Sequence, residues 1–262
     1  AHISVEYRWN DDNELSIRYY GTTDRATYLN LTNHAYFNLG GKREKITGHV
    51  LRIPSHTILD TTPQFIPTGK RVKVGGTPFD FTSAKPIGQD LYADHEQLKW
   101  NKGYNHCYVL KTEKSPDMVE AARLSEPTTG RSLTVKTDLP SVLLYTAGYY
   151  VHPDTAVCLE TQYYPDTPSH PDFPSCCVLG RNIGKLRCSG SIRNKTLHHQ
   201  HAPKCVLAFS KRYKIIRYKQ PTFCLHTICP EPHSTYTLQV SMIWVIHLLN
   251  LGHFSSILII PT

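Results

Sequence analysis

The spacing of the apolar residues is what most limits the fold of this chain. Before residue 175 no helical period lasts for more than a turn or two; where apolar residues recur, they alternate. Ile3, Val5 and Tyr7 share one face of an extended run. Asp11-Asp12-Asn13-Glu14 makes a tight polar turn, and Leu15, Ile17 and Tyr19 alternate back. This reads as a β-hairpin. Further strands are expected around 49–53, 109–110, 133–135, 142–145 and 157–159, most with Gly or Pro not far off. Residues 54–90 carry five prolines: Pro54, Pro63, Pro67, Pro78 and Pro86. Each lacks a backbone donor and fixes φ, so helix is forbidden over most of that segment. An abundance of Pro, Gly and Tyr fits the same picture. The expectation is an all-β chain, an antiparallel sandwich or barrel.

The net charge of +8 invites a nucleic-acid reading, but its distribution argues against one. Residues 1–175 hold 18 Lys and Arg against 20 Asp and Glu, whereas residues 176–262 hold 11 against the single acid Glu231. The basicity therefore belongs to the tail. Cysteine divides the same way: Cys107 and Cys158 stand alone in the first 175 residues, and six more crowd the remainder. Two isolated thiols suit a reducing compartment, so a cytoplasmic location is expected. The tail's Cys and His spacings match no zinc pattern well, and the chain opens without a signal peptide.

Three polar spots interrupt the apolar strands. The run Asn30-Leu31-Thr32-Asn33-His34-Ala35-Tyr36-Phe37-Asn38-Leu39-Gly40-Gly41 holds three asparagines, a histidine and two aromatics before a double glycine. Amides and imidazole are costly to bury without partners, so this run reads as a strand edge aimed into a polar pocket. Asn105-His106 is the second spot. Glu160 is the third and follows Ala156-Val157-Cys158-Leu159, so its carboxylate is either satisfied by backbone amides or functional. A carboxylate facing an imidazole across a pocket would be an acid–base pair.

Six ordered motifs carry a resemblance: Asp12-Asn13-Glu14-Leu15, the run from Asn30 to Gly41, Ile66-Pro67-Thr68-Gly69, Gly76-Thr77-Pro78-Phe79-Asp80-Phe81, Gly103-Tyr104-Asn105-His106, and Cys158-Leu159-Glu160-Thr161-Gln162. In order and spacing they resemble the aldose 1-epimerase (galactose mutarotase) family over about residues 3–178. The resemblance implies a large antiparallel β-sandwich that interconverts the α and β anomers of free hexoses such as galactose and glucose. Carried over by motif, Glu160 is the general base at the anomeric hydroxyl and His34 the general acid at the ring oxygen. Asn105 and His106 would hold sugar hydroxyls. The expected partner is a monosaccharide, with no metal and no cofactor.

The sequence departs from the family pattern in three places. Asn105 stands where the family has an aspartate, which removes a charge-assisted hydrogen bond to the sugar. The family's upstream Asn-Arg and His-Gly-Gly have no counterpart here, so residues 1–178 are expected to form an incomplete sandwich. Residues 179–262 fall outside the pattern. One back-translation of 179–191, shifted by a base, yields a strand of the family's closing type, so the tail is expected to be read out of frame. Its basic cluster around Lys211, Arg212 and Lys214 then carries no nucleic-acid reading. Its apolar stretch 238–260, interrupted by Gln239, His247, Asn250 and His253, is not expected to span a membrane.

Overall fold

A computed structural model describes residues 1–41, 44–110 and 117–179, together with the backbone of 188–194. The tail's basic cluster, its remaining cysteines and its apolar stretch lie outside these residues. The strands in chain order are β1 (His2–Trp9), β2 (Glu14–Thr22), β3 (Thr27–Tyr28), β4 (Val50–Arg52), β5 (Thr57–Thr61), β6 (Pro67–Lys73) and β7 (Lys85–Pro86). After the short helix α1 (Glu96–Asn101) come β8 (Asn105–Val109), β9 (Val119–Ser125), β10 (Ser132–Thr137), β11 (Ser141–Tyr145), β12 (Cys158–Gln162), β13 (Cys177–Val178) and β14 (Cys188–Asn194). No helix among the described residues is long and apolar enough to cross a membrane.

Antiparallel pairing builds a seven-stranded sheet in the order β1-β2-β14-β10-β9-β4-β7 and a five-stranded sheet in the order β12-β11-β8-β5-β6. The expected hairpin is present: Val5 pairs with Tyr19 and Tyr7 with Ile17, and Asn13 turns the chain with φ 58°. Alternation along each strand sends one set of side chains between the sheets. Leu51, Leu124 and Val135 from the larger sheet meet Ile58, Tyr108, Val142, Leu144 and Leu159 from the smaller one in the main core. A second core gathers Ile17, Tyr19, Leu29, Tyr163 and Val178. The all-β expectation therefore holds, and the architecture is the antiparallel layered one.

Two features extend the sequence reading. The proline-rich segment, read only as non-helical, contains β5 and β6. Pro67 opens β6, a position where a missing N–H is tolerated. Past the boundary set at 178, the backbone of β14 lies between β2 and β10, pairing Ser191 with Ser16 on one side and with Lys136 on the other.

Candidate active site

The site is organised by β12, the edge strand of the five-stranded sheet. Cys158 pairs with Tyr145, and Tyr145 with Asn105; Glu160 pairs with Leu143, and Leu143 with Cys107. Directly paired residues point to the same side of a sheet. Asn105, Tyr145, Cys158 and Glu160 therefore share the face that looks away from the main core. His106, Leu144 and Leu159 share the opposite face.

The segment 30–37 crosses the open edge of β12 and is tied there at both ends. The Asn30 side chain acts as a surrogate peptide: its Nδ2 donates to the Tyr163 carbonyl at 3.1 Å, and its Oδ1 accepts from the Tyr163 N–H at 2.9 Å. Seven residues later, Phe37 and Val157 exchange backbone hydrogen bonds of 2.8 and 2.9 Å. Between these ties the segment runs antiparallel to 157–163, which sets His34 opposite Glu160. Asn33 Oδ1 accepts from the Ala35 N–H at 3.2 Å, turning the chain locally around the histidine. Asn38 accepts from the Gly40 N–H and donates to the carbonyls of Glu44 and Thr155. Gly41 then leaves at φ 75°, a conformation that favours glycine.

This corrects the reading of 30–41 as a strand edge lining a pocket. Outside the Phe37 bridge it is not a strand, and all three asparagines bond backbone groups. From this run the His34 imidazole and the Tyr36 phenol stacked on it face the site.

The His34 imidazole Nε2 lies 3.3 Å from Glu160 Oε1. The carboxylate side chain is 9% exposed and the imidazole 47%. Burial pushes the Glu160 carboxyl up to about 8 and draws His34 below its ordinary value. Both shifts have one cause, since a low-dielectric pocket disfavours whichever form carries charge. The pair thus favours a proton on Glu160 and a neutral imidazole. Passing that proton across the 3.3 Å contact produces the carboxylate and the imidazolium.

Aromatic rings hold His34 in place. Tyr36 stacks on it with centroids 5.0 Å apart and planes at 26°, and Tyr145 meets it edge-on at 6.0 Å. Tyr150 in turn lies 5.3 Å from Tyr36. The loop bearing Tyr150 is fixed by close backbone approach: a Cβ on Gly148 would stand 2.1 Å from the Lys102 carbonyl oxygen. Lys102 closes α1 in the left-handed region at φ 50°, and the chain then enters β8 through Gly103. Tyr104 and Thr146 exchange hydrogen bonds that lock β8 to the same loop. Phe37, next to Tyr36 in the chain, packs against the main core.

Of the expected sugar-holding pair, the fold brings only Asn105 to the Glu160 face. His106 is fully buried; its Nδ1 accepts from the Asn105 N–H at 3.0 Å and its ring packs 4.3 Å from Phe79. Burial pushes it down to about 3. Adjacent residues on a strand face opposite ways, and this alternation removes His106 from the site. Sequence reasoning also missed a neighbour. Cys158, fully buried, offers Sγ to the same cluster, and one ligand atom each from His34, Cys158 and Glu160 lie within 4.8 Å of one another. Its position two residues before Glu160 on one strand was the available signal.

Comparisons with known proteins point the same way. The family model for aldose 1-epimerase matches residues 1–182. The aldose 1-epimerase of Escherichia coli K12 is 34% identical over 181 residues, covering 65% of this chain and 52% of that protein. Human galactose mutarotase is 35% identical over 176 residues, covering 63% and 49% respectively. The crystal structure of galactose 1-epimerase from Lactobacillus acidophilus superposes with a TM-score of 0.65 at 25% identity, covering 75% of this chain and 57% of that one. The chain spans about half the length of the curated relatives it matches. With most of its strands, its motif order and its facing histidine and glutamate all inside the matched region, this chain belongs to the aldose 1-epimerase family.

Proposed function

We propose that this chain interconverts the α and β anomers of free aldohexoses, galactose and glucose among them, with Glu160 as general base and His34 as general acid. The observation that carries the reading is the 3.3 Å contact between a buried carboxylate and a half-exposed imidazole on an open sheet edge. Glu160 takes the proton of the anomeric hydroxyl while His34 gives one to the ring oxygen. The bond from C1 to the ring oxygen breaks and a carbonyl forms at C1. Rotation about C1–C2 presents the other carbonyl face, and closure returns both protons to their donors. Each group is thus acid and base once per turnover, which suits a pair that already shares one proton. Sugar hydroxyls donating to Glu160 would favour its ionised form against the effect of burial. Asn105, on the same face, is assigned to bind sugar hydroxyls without supplying charge.

Polarimetry on freshly dissolved α-D-galactose tests the proposal. The chain should accelerate mutarotation above the spontaneous rate, and Glu160→Gln should remove that acceleration, a loss of roughly 10²- to 10⁴-fold for one acid–base group. Acceleration that survives in Glu160→Gln refutes the assignment. Asn105 in place of the family's aspartate favours a second reading, a sugar-binding relative without turnover. That reading predicts saturable galactose binding by calorimetry with no acceleration in the wild-type chain.

A further inference from the structure

The grouping of His34, Cys158 and Glu160 has chemistry beyond proton transfer. One thiol sulfur, one imidazole nitrogen and one carboxylate oxygen lie mutually within 4.8 Å, with the imidazole and carboxylate at 3.3 Å. We propose that these three side chains form a site for a thiophilic divalent cation, Zn²⁺, that shuts off the acid–base pair when it binds.

The donor set decides the class of ion. Thiolate and imidazole together select zinc-like metals over magnesium or calcium, which prefer all-oxygen shells. Bonds of about 2.0–2.3 Å in a tetrahedron put ligand atoms roughly 3.3–3.8 Å apart. The trio therefore needs about 1 Å of closure at its widest separation. Charge also balances. The Cys158 thiol releases its proton to solvent as the S–Zn bond forms, and Glu160 binds as carboxylate, releasing any proton it carries. Two negative ligands then neutralise the dication, so the buried site gains no net charge. The exposed side of His34 leaves a fourth position for water. Binding needs only the geometry; the inhibitory consequence rests on the acid–base reading above.

Titration of the full chain with Co²⁺, followed by Zn²⁺, tests the site by a signal that does not depend on turnover. A thiolate-to-cobalt charge-transfer band should appear with one equivalent and vanish as Zn²⁺ displaces the ion. Cys158→Ala should abolish the band, and His34→Gln, a change at a half-exposed position, should weaken Co²⁺ binding roughly tenfold or more. Thermal melting checks that each variant folds, and if Cys158→Ala does not, the His34→Gln affinity decides. A band that persists in Cys158→Ala, or an unchanged affinity in His34→Gln, assigns the metal to other thiols such as Cys176 and Cys177 and overturns the proposal. Zn²⁺ should also slow wild-type mutarotation. A chain that shows the band but no mutarotation keeps the metal site and loses the proposed activity.

Discussion

Asn30 is the residue on which the placement of His34 can be tested most directly. Replacing it with alanine removes both hydrogen bonds to the Tyr163 backbone, at 3.1 and 2.9 Å, and leaves the Phe37–Val157 bridge as the other tie to the β12 edge. Each bond is worth about 0.5–1.5 kcal/mol net, so the near end of the segment loses about 1–3 kcal/mol of local stability. Amide exchange at Tyr163, whose N–H donates to Asn30 Oδ1, should accelerate about 5- to 150-fold by the same free energy. His34 sits four residues from the lost tie. A misplacement on the order of 1 Å at a reacting group costs roughly 100-fold in rate, so kcat on α-D-galactose should fall by that order with KM little changed. Asn30→Asp retains the acceptor for the Tyr163 N–H but turns a carboxylate toward the Tyr163 carbonyl, and should not rescue. If Asn30→Ala leaves both Tyr163 exchange and kcat at wild-type values, the segment is registered by Phe37 and Val157 alone and the surrogate-peptide argument fails.

Two further outcomes are expected. Asn105→Asp restores a charged acceptor on the Glu160 face and should lower the apparent KM for galactose several-fold; an unchanged or higher KM removes Asn105 from the sugar site. Glu160 also makes stability depend on pH in a definite direction. Its folded value of about 8 lies above the unfolded carboxyl, so the folded state keeps a proton that the unfolded chain loses as pH rises from about 4.5. Stability falls across that window and levels off above 8. Glu160→Gln, which cannot ionise, should match wild type near pH 4 and exceed it above pH 8 by on the order of 5 kcal/mol in denaturant melts. A difference that stays flat with pH contradicts the buried-carboxylate account.

The parts of this molecule that were legible in its sequence are those set by near neighbours. The β1–β2 hairpin follows from period-two alternation around one polar turn, and both lie within 22 residues. The prolines of 54–90 excluded helix correctly, yet they hid β5 and β6, because an edge position or a strand start tolerates the missing donor and the sequence does not say which prolines occupy one. The asparagines of 30–41 posed a different difficulty. An amide side chain has a donor and an acceptor like those of a peptide group, so it can line a pocket or replace a strand partner, and local sequence does not separate the two. Asn30 chose Tyr163, 133 residues away. Asn105 and His106 were read together although alternation on a strand forces them apart, and knowing that both lay within β8 would have assigned one to the site and one to the core. Glu160 and His34 stood out as polar groups among apolar strands, and motif resemblance supplied their roles, transmitting long-range register without explaining it. The physical explanation is the pair of ties at Asn30–Tyr163 and Phe37–Val157. Because those ties fix the register of a single segment on a single edge strand, they bring the imidazole to the carboxylate and, with it, to the Cys158 thiol.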